Sequence, residues 1–207
     1  MSTKYKFRDP DSIYFVTFAV VGWVDVFTRS IYREILIDSF KYCQASKGLV
    51  IHAWIIMTNH VHMIISRNGK FKLEEIMRDM KKFTSYKILG AIMDNKTESR
   101  REWMLDLFEA QGTKNSNNTK FQFWRQDNHP ILLDTNQMMD ERLDYLHNNP
   151  VKDKLLMMLW DMCTAVQETM VVKKDYLKWI YWHEIKYWDQ YFGKWITRRH
   201  KSETCAR

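Results

Sequence analysis

Cysteine is scarce in this chain of 207 residues. Cys43, Cys163 and Cys205 lie far apart and are odd in number, which argues against a disulfide framework and against a zinc site built from thiolates. Long apolar runs are missing as well. Each one breaks at His, Thr, Asn or a charged residue, well short of the ~20 residues of a membrane span, so no membrane is expected as a partner. The opening "MSTKYKFRDPDS" is polar and charged and has no secretory apolar region, so the expected location is cytoplasmic. No repeat period runs through the sequence. A strong charge of one sign is absent too. The net +7 is a mild basic excess spread along the chain, and it suits a nucleic-acid partner without establishing one. Apolar residues make up 45% of the chain and aromatic residues 14%, enough for one ordinary domain with a real core.

The pattern of residues predicts an alternating order of elements. "SIYFVTFAVVG" (12–22) is β-branched and aromatic and reads as a strand. "SIYREILIDSFKYCQASKG" (30–48) has helical spacing between a possible Ser30 cap and Gly48. "LVIHAWIIM" (49–57) and "VHMIIS" (61–66) read as two strands joined at "TN". "KLEEIMRDMKKFTSYKILGAIM" (72–93) is a long helix, and 98–110 a short one. "GTKNSNNTK" (112–120) is a polar loop and "FQFW" (121–124) a short strand. "DTNQMMDERLDYLHNN" (134–149) is a helix with Asp134 as its cap, ending at Pro150. This order predicts an α+β fold, a ferredoxin-like antiparallel sheet with helices packed on it.

"WIIMTNHVHMIIS" (54–66) interrupts a buried strand with two imidazoles. Side chains alternate along a strand, so His60 and His62 share one face and Val61 takes the other. Two imidazoles held side by side repel when both are protonated but suit one divalent metal when neutral. In "RLDYLHNNPVKD" (142–153), Tyr145 and Asn149 stand four residues apart on one helical face. Pro150 disfavours helical geometry at Asn149, which predicts a helix end there and an amide oxygen able to reach a metal. Tyr145 as a core residue and Asn149 as a plain cap remain open on this evidence. Arg78, Lys81, Lys82 and Lys87 line the long helix, either as DNA phosphate contacts or as a solvated face. Trp124 and Arg125 are an aromatic and a cation able to hold an unpaired base, although Trp124 also fits a core role. His52 and His129 read as structural.

Taken together, "AWIIMTNHVHMIIS", "MRDMKKFTSYKI", "FWRQDNHPILL" and "LDYLHNNPVKD", in that order over roughly residues 10–154, resemble the REP-associated tyrosine transposases, relatives of the single-tyrosine HUH transposases. The resemblance implies that His60, His62 and Asn149 bind Mg²⁺ or Mn²⁺ and that Tyr145 attacks a backbone phosphate of single-stranded DNA. The implied product is a 5′-phosphotyrosine link and a free 3′-OH. The implied partner is a single-stranded DNA hairpin from a palindromic repeat, bound by a monomer or a homodimer. Tyr86, on the long helix, is the rival nucleophile. One alternative is a hairpin-binding protein that has lost cleavage. A different His-x-His hydrolase would want a further cluster of Asp, Glu or His, and no such motif lies nearby.

The resemblance stops after "NNPVKD", dividing the chain into a domain over 1–154 and an atypical tail over 155–207. Five of the nine tryptophans fall in that tail. Its codons, read one base earlier, give forced results wherever Met or Trp supplies the leading base. Met157–Met158 gives Asp, Trp160–Asp161 gives Gly, Met162–Cys163 gives Val and Trp182–His183 gives Ala. With permitted choices elsewhere, the shifted frame contains "YVYSSARDYG", which is similar to the ending of the family. The expectation is a frameshift near residues 153–155.

Overall fold

The computed structural model describes residues 7–114 and 120–152. The predicted tail lies outside them. In chain order the elements are β1 (Tyr14–Ala19), α1 (Ser30–Lys47), β2 (Leu49–Ile56), β3 (His60–Arg67), α2 (Leu73–Asp94), α3 (Arg101–Gly112), β4 (Ile131–Leu132) and α4 (Asn136–Lys152). All pairings are antiparallel and the strand order is β2-β3-β1-β4. The connection through α1 steps from β1 over β3 to β2, and the one through α2 and α3 steps from β3 over β1 to β4. This is the expected ferredoxin-like arrangement.

Alternation along the strands sorts the core into two layers. Val16, Phe18, Val61, Met63 and Ile65 join Leu36 and Phe40 of α1, Ile76, Met80 and Ile88 of α2, and Met104 and Phe108 of α3. Phe15, Ala53, Ile55 and Ile64 face the other way and meet Leu143 and Leu146 of α4. The face that a bare four-stranded sheet would leave open is therefore crossed by α4.

Two local features set this geometry. Gly48 ends α1 in the left-handed conformation, φ 70°. A Cβ there would stand 2.2 Å from the Asn68 carbonyl oxygen, so only glycine lets the helix turn directly into β2. In β2, Ile51 pairs with Ile65 and Ala53 with Ile64, which leaves His52 as the extra residue of a β-bulge. His52 Nε2 lies 2.8 Å from Ser66 Oγ, in keeping with its expected structural role.

Several predicted boundaries need correction. "FQFW" is not a strand. Gln122 N donates to Phe108 O at the end of α3, and only Trp124 forms a bridge, with Val20. The fourth strand is instead Ile131–Leu132, which pairs with Tyr14 and Phe15. Between these points the chain follows the free edge of β1 through Arg125 N to Ala19 O and Thr17 N to Asn128 O. Ser30 is the first residue of α1 and makes no cap; the cap position is Arg29. Thr135, not Asp134, caps α4, its Oγ1 accepting from Met138 N at 3.2 Å. Pro150 does not end α4, which runs on to Lys152. A proline so near the end interrupts little helix beyond it.

Candidate functional site

The two histidines share a face, as alternation requires, because β3 runs as a regular central strand from His60. Its register sets His62 opposite Thr17 and His60 opposite Ala19. Thr17 Oγ1 lies 2.7 Å from His62 Nδ1, and Asn59 Oδ1 lies 2.6 Å from His60 Nδ1. A side-chain carbonyl only accepts, so His60 donates from Nδ1 and keeps a lone pair on Nε2. The two Nε2 atoms converge to 3.1 Å. Two ligand nitrogens, each ~2.1 Å from one ion and at right angles around it, stand about 3 Å apart.

His62 is buried. Burial, then the charges of His60 and Arg142, push its pKa down to about 3. It is therefore a neutral imidazole near pH 7, the form that ligates metals. Phe15 stacks on it at 5.4 Å between ring centroids, and the Arg142 guanidinium lies 5.0 Å over the Phe15 ring.

The amphipathic pattern of α4 brings in the remaining groups. Leu143 and Leu146 pack on the sheet, and that docking carries Tyr145 to the histidines. Its ring meets Phe15 and His62 edge-on at 5.9 and 5.2 Å, and its hydroxyl stands 3.4 Å from His62 Nε2. That contact is long for an O–H donor, so the hydroxyl is not locked onto the ring. Asn149 lies one turn further along the helix. Its Nδ2 is buried with no hydrogen-bond partner. Amide nitrogen and oxygen exchange places by a half-turn about the side chain, which would present an acceptor where an orphaned donor now stands. Among the described residues, no group of three or more His, Cys, Asp or Glu gathers as a metal cluster. An amide oxygen such as that of Asn149 is a type of group able to ligate a hard divalent cation.

The other predicted residues separate. Tyr86 is 75% exposed on α2, the helix that covers the opposite face of the sheet. Lys81 bonds to Arg125 O at 2.7 Å and to Asn128 Oδ1 at 2.7 Å, holding the loop along the edge of β1. Burial pushes its pKa down to about 8, with Asp127 opposing. Arg78 pairs with the neighbouring Asp79, Lys87 lies over Phe83 at 5.8 Å, and Lys82 is exposed. Trp124 is core, its Nε1 donating to Thr84 Oγ1 at 3.0 Å. The aromatic partner of Arg125 is not Trp124 but Trp23, with the guanidinium 5.4 Å from the ring.

Sequence reasoning passed over Thr17, Trp23, Asn59 and Arg142. Asn59 was legible only as a turn residue. Arg142 precedes Tyr145 by three positions on one helical face, a signal that was present and unused. Thr17 and Trp23 depend on strand register and on a turn, which no local pattern discloses.

The family model described as "Transposase IS200 like" matches residues 13–117. That span holds β1, both histidines, α2 and α3, and ends before Tyr145. Among solved structures, that of a REP-associated tyrosine transposase bound to a REP hairpin is similar at 16% identity, with 74% of each chain covered and a TM-score of 0.52. A crystal structure of a candidate transposase from Deinococcus radiodurans is similar at 13% identity, over 71% of this chain and 97% of that one, with a TM-score of 0.42. No curated protein matches the chain.

Proposed function

Because the chain belongs to the IS200-like transposases, we propose that it cuts and rejoins single-stranded DNA at hairpins, with Tyr145 as the nucleophile. The observation that carries this reading is the position of the Tyr145 hydroxyl, 3.4 Å from His62 Nε2 beside two imidazole nitrogens that converge to 3.1 Å. A phenol placed there meets whatever phosphate the histidine pair attracts.

His60 and His62, with Asn149 once its amide is turned, would hold one divalent cation, Mg²⁺ or Mn²⁺. When bound, such an ion polarises a phosphoryl oxygen and offsets the charge of the transition state. The chain's own groups supply the rest. Asn59 and Thr17 fix the two rings. Arg142, held over Phe15, sets a permanent positive charge beside the site, suited to a DNA phosphate. Tyr145 Oη forms a bond to a backbone phosphorus, and the bond from that phosphorus to the 3′ oxygen breaks. The 3′ oxygen leaves as an alkoxide and takes up a proton to become the 3′-OH, while the phenolic proton passes to solvent. The product is a 5′-phosphotyrosine, and attack by a 3′-OH reverses the step. DNA hairpins are proposed as the substrate because the similar solved structure holds a REP hairpin. The test is capture of a covalent protein–DNA adduct from labelled single-stranded hairpins with Mg²⁺ or Mn²⁺. Binding without an adduct would leave a hairpin-binding protein that does not cleave.

A further inference from the structure

A cleft of about 640 Å³ opens next to the histidine site, lined by Trp23, Gln111, Lys114, Gln122, Arg125 and Gln126. Three independent features of this cleft point to one ligand. The first is an indole at its wall that the fold does not bury. Trp23 is 53% exposed, and it holds a left-handed φ of 55° straight after Gly22 at φ 66°. A bulky residue in that region is a rare arrangement that clusters at functional sites. Gly22 itself has little room for a side chain, since a Cβ there would meet the Leu107 side chain at 3.1 Å. The second is the polar lining. Two cations and three primary amides surround the indole. Amides both donate and accept, as base edges do, and cations pair with phosphates. The third is position. The Trp23 ring lies 5.8 Å from the His60 ring, and the Trp23 carbonyl accepts from Asn59, the residue that holds His60.

We infer that this cleft is a nucleotide subsite in which Trp23 stacks an unpaired base of single-stranded DNA adjoining the attacked phosphate. The inference rests on the DNA-cutting reading for its substrate class but not on the chemistry of Tyr145. Arg125, 5.4 Å from the indole ring, holds Trp23 in place and offers its charge to the backbone. Gln111 and Gln126 face the base edge, while Gln122 donates to Trp124 O at 3.1 Å and shapes the wall, and Lys114 meets a neighbouring phosphate. A site of this make-up selects unpaired nucleotides over duplex, because a stacked base must first leave its own stack.

The experiment uses the full chain and short single-stranded oligodeoxynucleotides of mixed sequence, each with one 5-iodouracil that crosslinks to a stacked aromatic under light. The expected result is a crosslink mapped to Trp23 by mass spectrometry. Trp23→Ala should weaken binding about tenfold, in line with loss of one base–aromatic stack. Trp23→Phe should recover most of the loss, and Arg125→Gln should weaken binding as well. If Trp23→Ala fails to fold, the crosslink map and Arg125→Gln decide alone. Crosslinks that map elsewhere, or affinities unchanged in Trp23→Ala and Arg125→Gln, overturn the subsite. Equal binding of abasic oligonucleotides overturns the base reading by showing contact with the backbone only. Wild-type chain that binds in a Trp23-dependent way yet forms no adduct would overturn the Tyr145 chemistry and leave the subsite standing.

Discussion

Asn59 holds two parts of the site at once. Its Oδ1 stands 2.6 Å from His60 Nδ1, while its Nδ2 donates to the Trp23 carbonyl at 3.3 Å and to Asp25 Oδ1 at 3.0 Å. Partners of this kind set the tautomer and aim of a ligating imidazole. Asn59→Ala is therefore expected to weaken Mn²⁺ binding by roughly 10- to 100-fold, read by isothermal titration, with the melting temperature little changed. Unaltered Mn²⁺ affinity would mean that His60 needs no such holder.

Tyr145→Phe keeps the ring contacts with Phe15 and His62 and removes only the oxygen proposed to attack. Covalent capture of a hairpin oligonucleotide should vanish on a denaturing gel, while binding of the same hairpin persists. Tyr86→Phe should leave capture intact. An adduct that survives in the first variant and disappears in the second would move the nucleophile to the opposite face of the sheet.

Thr84 Oγ1 donates to Met80 O at 2.8 Å and accepts from Trp124 Nε1 at 3.0 Å. Valine fills the same space and leaves the buried indole N–H without an acceptor. Thr84→Val should lose about 1–3 kcal/mol, the usual range for an orphaned buried donor. Urea denaturation measures it, and a loss below about 0.5 kcal/mol, under the usual range, would show that the indole finds another partner.

Glu98 is buried and ties the start of α3 to the turn before α1. Its carboxylate accepts from Arg100 Nε at 2.9 Å and Nη2 at 3.1 Å, and Arg100 Nη1 donates to Asp25 O at 2.8 Å. Those hydrogen bonds hold the carboxyl below its ordinary range. A folded pKa below the unfolded one, ~4.3 for Glu, stabilises the fold fully above the unfolded value and loses that effect as pH falls through the folded value. The stability gap between wild type and Glu98→Gln should therefore shrink as pH is lowered below about 4. Paired thermal melts across that range give the answer, and a gap that stays constant would contradict the linkage.

The nucleotide sequence across codons 150–160 tests the shifted reading frame of the tail. An inserted or deleted base near codons 153–155, which shifts the frame that encodes "YVYSSARDYG", is the expected finding. Thermal unfolding and hairpin capture are compared for the full chain, a chain cut after Val151 and a frame-restored chain; the cut should cost little stability, and capture should be highest in the frame-restored chain. The given chain proving the most stable of the three would make its aromatic tail a genuine part of the protein.

Much of this architecture was legible because it follows from local rules. Period-two alternation puts His60 and His62 on one face, Gly48 ends α1, and the apolar spacing of Leu143 and Leu146 docks α4. What stayed hidden depends on tertiary context. The segment 121–124 has strand composition, but the end of α3 takes Gln122, which leaves one bridge. Ile131–Leu132 is a strand because β1 offers it an edge, not because two residues announce one. Arg125 finds Trp23 a hundred residues away in sequence, while its neighbour Trp124 turns into the core.

The bulge at His52 bears on how this chain can change in length. Inside a regular strand, losing one residue inverts the facing of everything beyond it. In β2, Leu49 and Ile51 serve the α1 layer before the bulge, and Trp54 and Ile56 serve it after. Removing position 52 would therefore leave both sets facing as they do now. The interior of this strand contains a spare unit, a place where a single-codon deletion gives up the His52–Ser66 contact but keeps the facing of the strand, while the same event one strand over, between His60 and His62, would separate the paired imidazoles.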